Sequence, residues 1–328
     1  TWAIGFVEDY SAADAPDGWQ LPSFDDSGWA AAEQHPPFPA MFDGDYSPTA
    51  VPRLRYHWQP VRQLVHLWRT DAEAPTLSRD QGAADYARAL MAESWEETHD
   101  LRSAGVSDAN LGTVVFDDLK PDEGAVICLD LGAEYIGQVC FTMISESAGT
   151  VDVGWAELLE GGRPQLLRKG GSYVDRFNAR PGENQWHPIN FSAGRYVALI
   201  LRGFTGRVEF RRLGMLASEP DIPWAGSFKC HDEQLTAVWE LCARTVRVGV
   251  QEGIMDCPTR EQATYVGDGN PNALWIGRLT GDWTHWRRLI RETFAVQRED
   301  GLIKTVPYSG QQHVLIDYEL LAIAGVRE

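Results

Sequence analysis

Asp256, Glu261 and Asp268 place three carboxylates within thirteen residues, in the run Asp256-Cys257-Pro258-Thr259-Arg260-Glu261 and the Gly267-Asp268 that follows it. Arg260 and Tyr265 lie among them, and the chain carries 13 tryptophans. Carboxylates gathered around a pocket with aromatic walls are the equipment of glycoside hydrolysis. That reaction needs one protonated acid at the leaving oxygen and one ionised base near a water. Mutual repulsion and partial burial would raise the pKa of one member of such a cluster, as a general acid requires, and a nearby arginine would oppose the shift. The same residues have a plain structural reading. Pro258 suits the first turn of a helix, Asp256 before it can accept orphan N–H bonds, and Gly-Asp is an ordinary turn pair. Spacing alone leaves both readings open.

The elements that must position these groups fall into two regimes. Up to about residue 217 the pattern is short strands between turns. Val151-Asp152-Val153-Gly154-Trp155 and Gly206-Arg207-Val208-Glu209-Phe210 alternate, while Tyr196-Val197-Ala198-Leu199-Ile200-Leu201 is a continuous apolar run that suits a strand buried on both faces. Phe24-Asp25-Asp26-Ser27-Gly28-Trp29 reads as an Asp-Gly turn, with calcium or sugar binding as the sharper alternative. Ala84, Ala87, Leu90 and Met91 recur at helical spacing, so a short helical insertion is expected within residues 83–97, and residues 98–112 read as loop.

Ser218-Glu219-Pro220-Asp221-Ile222-Pro223 reads as a linker. Beyond it the period becomes helical. Asp232 is expected to cap a helix bearing Leu235, Val238, Trp239, Leu241 and Cys242. A second helix carries Leu274, Leu279, Trp283, Trp286, Leu289 and Ile290 and ends before Gly301. A third begins near Asp317 and runs to Glu328 without a stop signal. Trp239, Trp275, Trp283 and Trp286 read as core. The expected division is a β-rich accessory region (1–115), a β-sandwich domain (116–217) and a helical domain (218–328).

With 29 Lys and Arg against 47 Asp and Glu, the formal net charge is −18. Nucleic acid and anionic membrane surfaces are therefore poor partners, and a neutral sugar is better suited. No apolar run approaches the ~20 residues of a membrane span. Five cysteines without a CxxC pair argue against a disulfide framework or a zinc site, and read as buried free thiols. No metal or organic cofactor is expected. No signal peptide is visible. The first residue is Thr1 rather than Met, which points to a start further upstream, and the compartment stays open.

The run Asp256-Cys257-Pro258-Thr259-Arg260-Glu261 with Gly267-Asp268 resembles the signature of the bacterial α-L-rhamnosidases of glycoside hydrolase family 78. Other segments are similar to that family too: Asp130-Leu131-Gly132 with Gly137, Glu157-Leu158, Gly162-Arg163, Gly194-Arg195-Tyr196, Gly226-Ser227-Phe228, Asp300-Gly301-Leu302-Ile303 and Asp317-Tyr318. The resemblance implies a multidomain β + α chain, with β-sandwich domains followed by a truncated (α/α)6 six-hairpin barrel. It implies inverting hydrolysis of rhamnose-containing glycosides. Glu261 matches the general acid, and Asp256 and Asp268 match acids that hold sugar hydroxyls. Arg260, Tyr265 and Asp317 are the expected substrate contacts.

The family's general base is a later glutamate that no position here matches. Asp317 and Glu319 are candidates by residue type only, and the chain by itself is expected to turn over little. Where many members read Arg-Leu-Gly-Trp-Thr before Gly-Asp, this chain reads Gln262-Ala263-Thr264-Tyr265-Val266, with Tyr265 as the substitute aromatic wall. Two rivals remain: a glycosidase of the same architecture for another sugar, and a non-catalytic carbohydrate-binding protein. His285 and His313 read as structural histidines. Apolar helix faces such as Leu274/Trp283/Trp286 lead to an expectation of aggregation or of pairing in a homo-oligomer.

Overall fold

A computed structural model describes residues 7–33, 49–76, 82–98, 103–104, 112–307 and 313–327. In chain order the strands of its β-rich part are β1 (Asp9–Ser11), β2 (Leu54–Pro60), β3 (Gln63–Thr70), β4 (Glu96–Glu97), β5 (Ser103–Ala104), β6 (Val114–Leu119), β7 (Gly124–Ser145), β8 (Gly149–Ala156), β9 (Leu159–Glu160), β10 (Arg163–Pro164), β11 (Leu167–Arg168), β12 (Gly171–Ser172), β13 (Val174–Ala179), β14 (Gly182–Trp186), β15 (Ser192–Arg202) and β16 (Gly206–Pro220). Helix α1 (Ala83–Ala92) lies between β3 and β4. The helical part holds α2 (Glu233–Val248), α3 (Val266–Thr280), α4 (Thr284–Ala295) and α5 (Ile316–Arg327). Among the described residues, no helix is long and apolar enough to cross a membrane.

Twelve strands form one mixed sheet, with β1-β13-β8-β15-β7-β16-β6-β5 as its backbone order. β7 is the hub. Its first half pairs with β15 and β3, and its second half with β14 and β16. Ile127, Leu129, Leu131, Val139, Phe141 and Met143 of β7 all enter one core with residues of β6, β8, β13, β15 and β16. On the other face Val126 and Cys128 join Ala198 and Ile200 of β15 beneath Tyr86, Ala87 and Leu90 of α1. The apolar run of β15 is thus buried on both faces, as its sequence predicts. Here β2, β3 and β5 share the sheet of the later strands, because β7 and β16 are long enough to pair with one set of strands at each end.

The helical insertion of residues 83–97 is α1 followed by β4, so its last residues are extended rather than helical. The expected loop over 98–112 lies largely outside the described residues, and Ser103–Ala104 pair with β6. The Asp-Gly turn forms: Ser27 N donates to Asp25 Oδ1 (3.0 Å), and the Phe24 and Trp29 rings pack 5.4 Å apart.

Several family-like residues prove to be structural. Asp130 receives Arg195 on both oxygens (2.9 and 2.7 Å) and Gly132 N (2.6 Å). The Arg195 hydrogen bonds hold the Asp130 carboxyl below its ordinary range. Asp152, fully buried, is bonded by Arg176 (2.9 Å) and Arg202 (3.0 Å), and Arg202 also reaches Glu93 at the end of α1 (2.5 Å).

The expected linker is a stapled junction. β16 runs on to Pro220, paired with β2. Glu219 accepts from Arg55 (2.6 Å) and from Arg247 of α2 (2.5 Å), tying the sheet to the helices. Burial raises the Glu219 pKa, but the two arginines outweigh it and hold the carboxyl below its usual value. Ser218 Oγ donates to Gln251 Oε1 (2.7 Å).

Asp232 caps α2 as predicted, accepting from Gln234 N (2.9 Å) and Leu235 N (3.2 Å). The single helix expected over 274–290 is two, because Gly281 adopts φ 76° and terminates α3. Of the four tryptophans read as core, Trp286 is buried, Trp239 is half-buried, and Trp275 and Trp283 are exposed. α2 buries none of its residues, so its apolar stripe lacks the cover that periodicity implied. All five cysteines are free, but only Cys128 is buried: Cys140, Cys230 and Cys257 are half-buried and Cys242 is exposed.

Replacing Asp152 with Ala would leave the buried Arg202 and Arg176 without their shared counter-charge. We expect a loss of about 3–5 kcal/mol in urea unfolding. A loss under ~1 kcal/mol would show that the cluster does not hold α1 to the sheet.

Candidate active site

The acidic run is a closed loop leading into α3. Met255, just before it, packs on Ile136 and Ala193 of the sheet. Asp256 closes the loop twice: its N–H donates to Ala263 O (2.9 Å) and its Oδ1 accepts from Ala263 N (2.9 Å). Gln262 takes φ 52°, the left-handed region, and its side chain donates to Pro258 O (2.9 Å). Pro258 therefore starts a turn, and the helix begins eight residues later at Val266. The reading of Asp256 as the cap of a helix at Pro258 is corrected accordingly: it caps a loop. Thr259 is buried, with its side chain beside the Tyr173 hydroxyl.

Within this loop Glu261 is buried, its side chain 9% exposed. Burial of a carboxylate demands partners for both oxygens. Arg260 ion-pairs with Oε1. The Tyr265 hydroxyl donates to Oε2 (2.5 Å). Glu261 N also donates to Cys257 Sγ (3.4 Å). Burial first, and then the bond to Glu261, push the Tyr265 phenol well above its ordinary value.

Asp268 lies in the first turn of α3, half-buried, and accepts from the Tyr318 hydroxyl of α5 (2.6 Å). That bond, with burial, raises the Tyr318 phenol to about 12. The Tyr265 and Tyr318 rings meet edge to face, 6.4 Å between centroids at 88°. Gly267 is required here: a Cβ on it would sit 2.3 Å from the Tyr318 ring.

The structure therefore brings Arg260, Glu261, Tyr265 and Asp268 together, linked through Tyr318, with Asp256 closing the loop that carries them. Asp317 is exposed at the start of α5, beside Tyr318. Glu319 is a structural carboxylate that accepts from Ile303 N (2.6 Å). His285 is buried against Gln251 O (3.1 Å), and the His313 carbonyl accepts from Thr305. Among the described residues, no three His, Cys, Asp or Glu side chains gather as a metal site. Sequence reasoning passed over Tyr318, which was treated only as the neighbour of Asp317. Its one signal was an aromatic beside an acid at the start of a helical period.

Residues 223–318 match the family model of the bacterial alpha-L-rhamnosidase 6 hairpin glycosidase domain. In domain and fold the chain is rhamnosidase-like. A GH78 family rhamnosidase of Bacillus sp. GL1 superposes with a TM-score of 0.60 at 25% identity, over 64% of this chain and 22% of that one. The α-L-rhamnosidase from Dictyoglumus thermophilum gives 0.65 at 18% identity, over 98% of this chain and 30% of that one. A rhamnosidase from Klebsiella oxytoca, with rhamnose bound, gives 0.59 at 16% identity, over 84% and 52%. This chain thus spans between about a fifth and a half of these relatives. No curated protein matches the sequence. The resemblance carried by the acidic run is supported by the domain and the fold alike, and the rhamnosidase-like region contains every site residue named above.

In alkaline titration followed by tyrosinate absorbance, Tyr318 should ionise near pH 12, against 10.0 for a free phenol. Its folded pKa lies above its unfolded one, so the stability it lends is whole below pH ~10 and is lost as pH rises through 12. Gly267→Ala should displace the Tyr318 ring at a cost of about 1–3 kcal/mol and return this titration towards normal. An unchanged titration in that variant would contradict the Gly267–Tyr318 contact.

Proposed function

We propose that this chain belongs to a glycoside hydrolase that releases terminal α-L-rhamnose with inversion. The observation that carries the reading is Glu261: a nearly buried carboxylate held by Arg260 and Tyr265, inside a segment that matches a rhamnosidase domain. Glu261 is the general acid. It passes its proton to the glycosidic oxygen as the bond from that oxygen to the anomeric carbon breaks. A water attacks the anomeric carbon from the opposite face and yields its proton to a general base, which gives the inverted sugar and a free alcohol. Asp256 and Asp268 would hold sugar hydroxyls, with Arg260, Tyr265 and Asp317 as further substrate contacts.

The base has no assigned residue here. Asp256 closes its own loop, Asp268 is bonded to Tyr318, and Glu319 is bonded to Ile303. Efficient turnover is proposed only for a protein that supplies that base, with residues 218–328 as the N-terminal portion of its catalytic barrel and the β-rich regions 1–115 and 116–217 preceding it. The rhamnose bound in the Klebsiella oxytoca relative supports rhamnose as the sugar.

Titration with L-rhamnose and with other sugars tests this. L-rhamnose should saturate the site and bind more weakly to Asp268→Asn. Where turnover of an alkyl α-L-rhamnoside is measured, Glu261→Gln should lower kcat about 10²–10⁴-fold, the usual worth of a general acid. Preference for another sugar would move the assignment within the same architecture. Sugar binding untouched by Glu261→Gln, with no product from a protein that supplies the base, would establish a binding protein instead.

A further inference from the structure

Glu261 has two oxygens and neither is offered to a ligand. Oε1 is paired with Arg260, and Oε2 receives the Tyr265 hydroxyl at 2.5 Å. A general acid must bring one oxygen within ~2.6–3.2 Å of the leaving-group oxygen in order to protonate it. The arginine carries a full charge and bonds Oε1 from the adjacent residue. The tyrosine bond is the neutral one, made from a residue four positions away. Oε2 is therefore the oxygen that can be released.

Tyr265 is the residue before α3, in extended backbone (φ −75°, ψ 127°), and its side chain makes no capping bond to the helix. Its ring rests edge to face on Tyr318, which is itself anchored through its hydroxyl to Asp268. Among the described residues, displacing the Tyr265 hydroxyl therefore breaks no side-chain hydrogen bond but the one to Glu261.

We propose that the Tyr265 hydroxyl stands where the leaving-group oxygen must bind on Glu261, and that a glycoside displaces it on binding. This rests on Glu261 being the general acid. Tyr265 is then a specificity-determining gate. It keeps the carboxylate satisfied in the empty site. When it leaves, Oε2 takes up a proton from solvent and donates it to the ligand's exocyclic oxygen at the anomeric carbon, which can only accept. A sugar ring lacking that oxygen binds without opening the gate.

The test compares two ligands on this chain and on Tyr265→Phe: methyl α-L-rhamnoside, and 1,5-anhydro-L-rhamnitol, which lacks the exocyclic anomeric oxygen. Losing one net hydrogen bond from the competing side is worth roughly fivefold in affinity. Methyl rhamnoside should bind Tyr265→Phe about fivefold more tightly than wild type, and the anhydro sugar equally to both. Equal or weaker binding of the methyl glycoside by the variant would overturn the gate, as would a parallel shift of both ligands, the mark of a merely structural change. If neither protein binds either ligand, the rhamnosidase reading falls and the gate with it. Should Tyr265→Phe fail to fold, the ¹³Cζ resonance of Tyr265 in wild type decides. It must move with methyl rhamnoside and stay with the anhydro sugar, and any other pattern overturns the proposal.

Discussion

A carboxylate taken out of water must have both of its oxygens bonded, and much of the acidic loop can be understood from that requirement at Glu261. The loop supplies one partner from the preceding residue and the other from the residue that opens α3. For both to converge, the chain must turn back on itself within eight residues. Asp256 enforces this by bonding the Ala263 N–H and carbonyl at once, and Gln262 does so by adopting a left-handed conformation. Asp256 therefore shapes the site as much as it lines it.

A second carboxylate is held by the same logic from a distance. Asp268 takes its partner from α5, fifty residues on, and the tyrosine that bonds it also packs against the tyrosine that bonds Glu261. The two acids are thus coupled through two rings, and the packing of α5 on α3 sets the coupling. Gly267 is the small residue that lets Tyr318 approach. Behind the loop, Met255 packs on Ile136 and Ala193 of the sheet, so the β-rich part supports the loop directly. Glu219 joins the two parts through Arg55 and Arg247.

The family-like residues divide into two kinds. Asp130 with Arg195, and Gly267 under Tyr318, make contacts that the packing of this fold needs. Glu261 and Arg260 have no such use, since an apolar pair would pack there at lower desolvation cost. A buried, fully bonded carboxylate adjoining half-buried tyrosines and a second acid is a functional-site candidate on firmer grounds than spacing gives.

The sequence by itself determined the change from β to α near residue 220, the strand buried on both faces at Val197–Leu201, the cap at Asp232, the start of α5, and the cluster Arg260, Glu261, Tyr265 and Asp268. These are local patterns of period, capping and motif, and local chemistry is enough to write them. The tertiary structure alone decided the rest. It joined strands on both sides of residue 115 into one sheet, because pairing along β7 depends on partners far away in sequence. It split the second helix at Gly281, since a left-handed glycine leaves no mark on apolar periodicity. It left the stripe of α2 uncovered, because a stripe specifies a face and not what covers it. It also brought Tyr318 to Asp268 and Tyr265, since a contact across fifty residues depends on how two helices pack and not on the spacing of any motif.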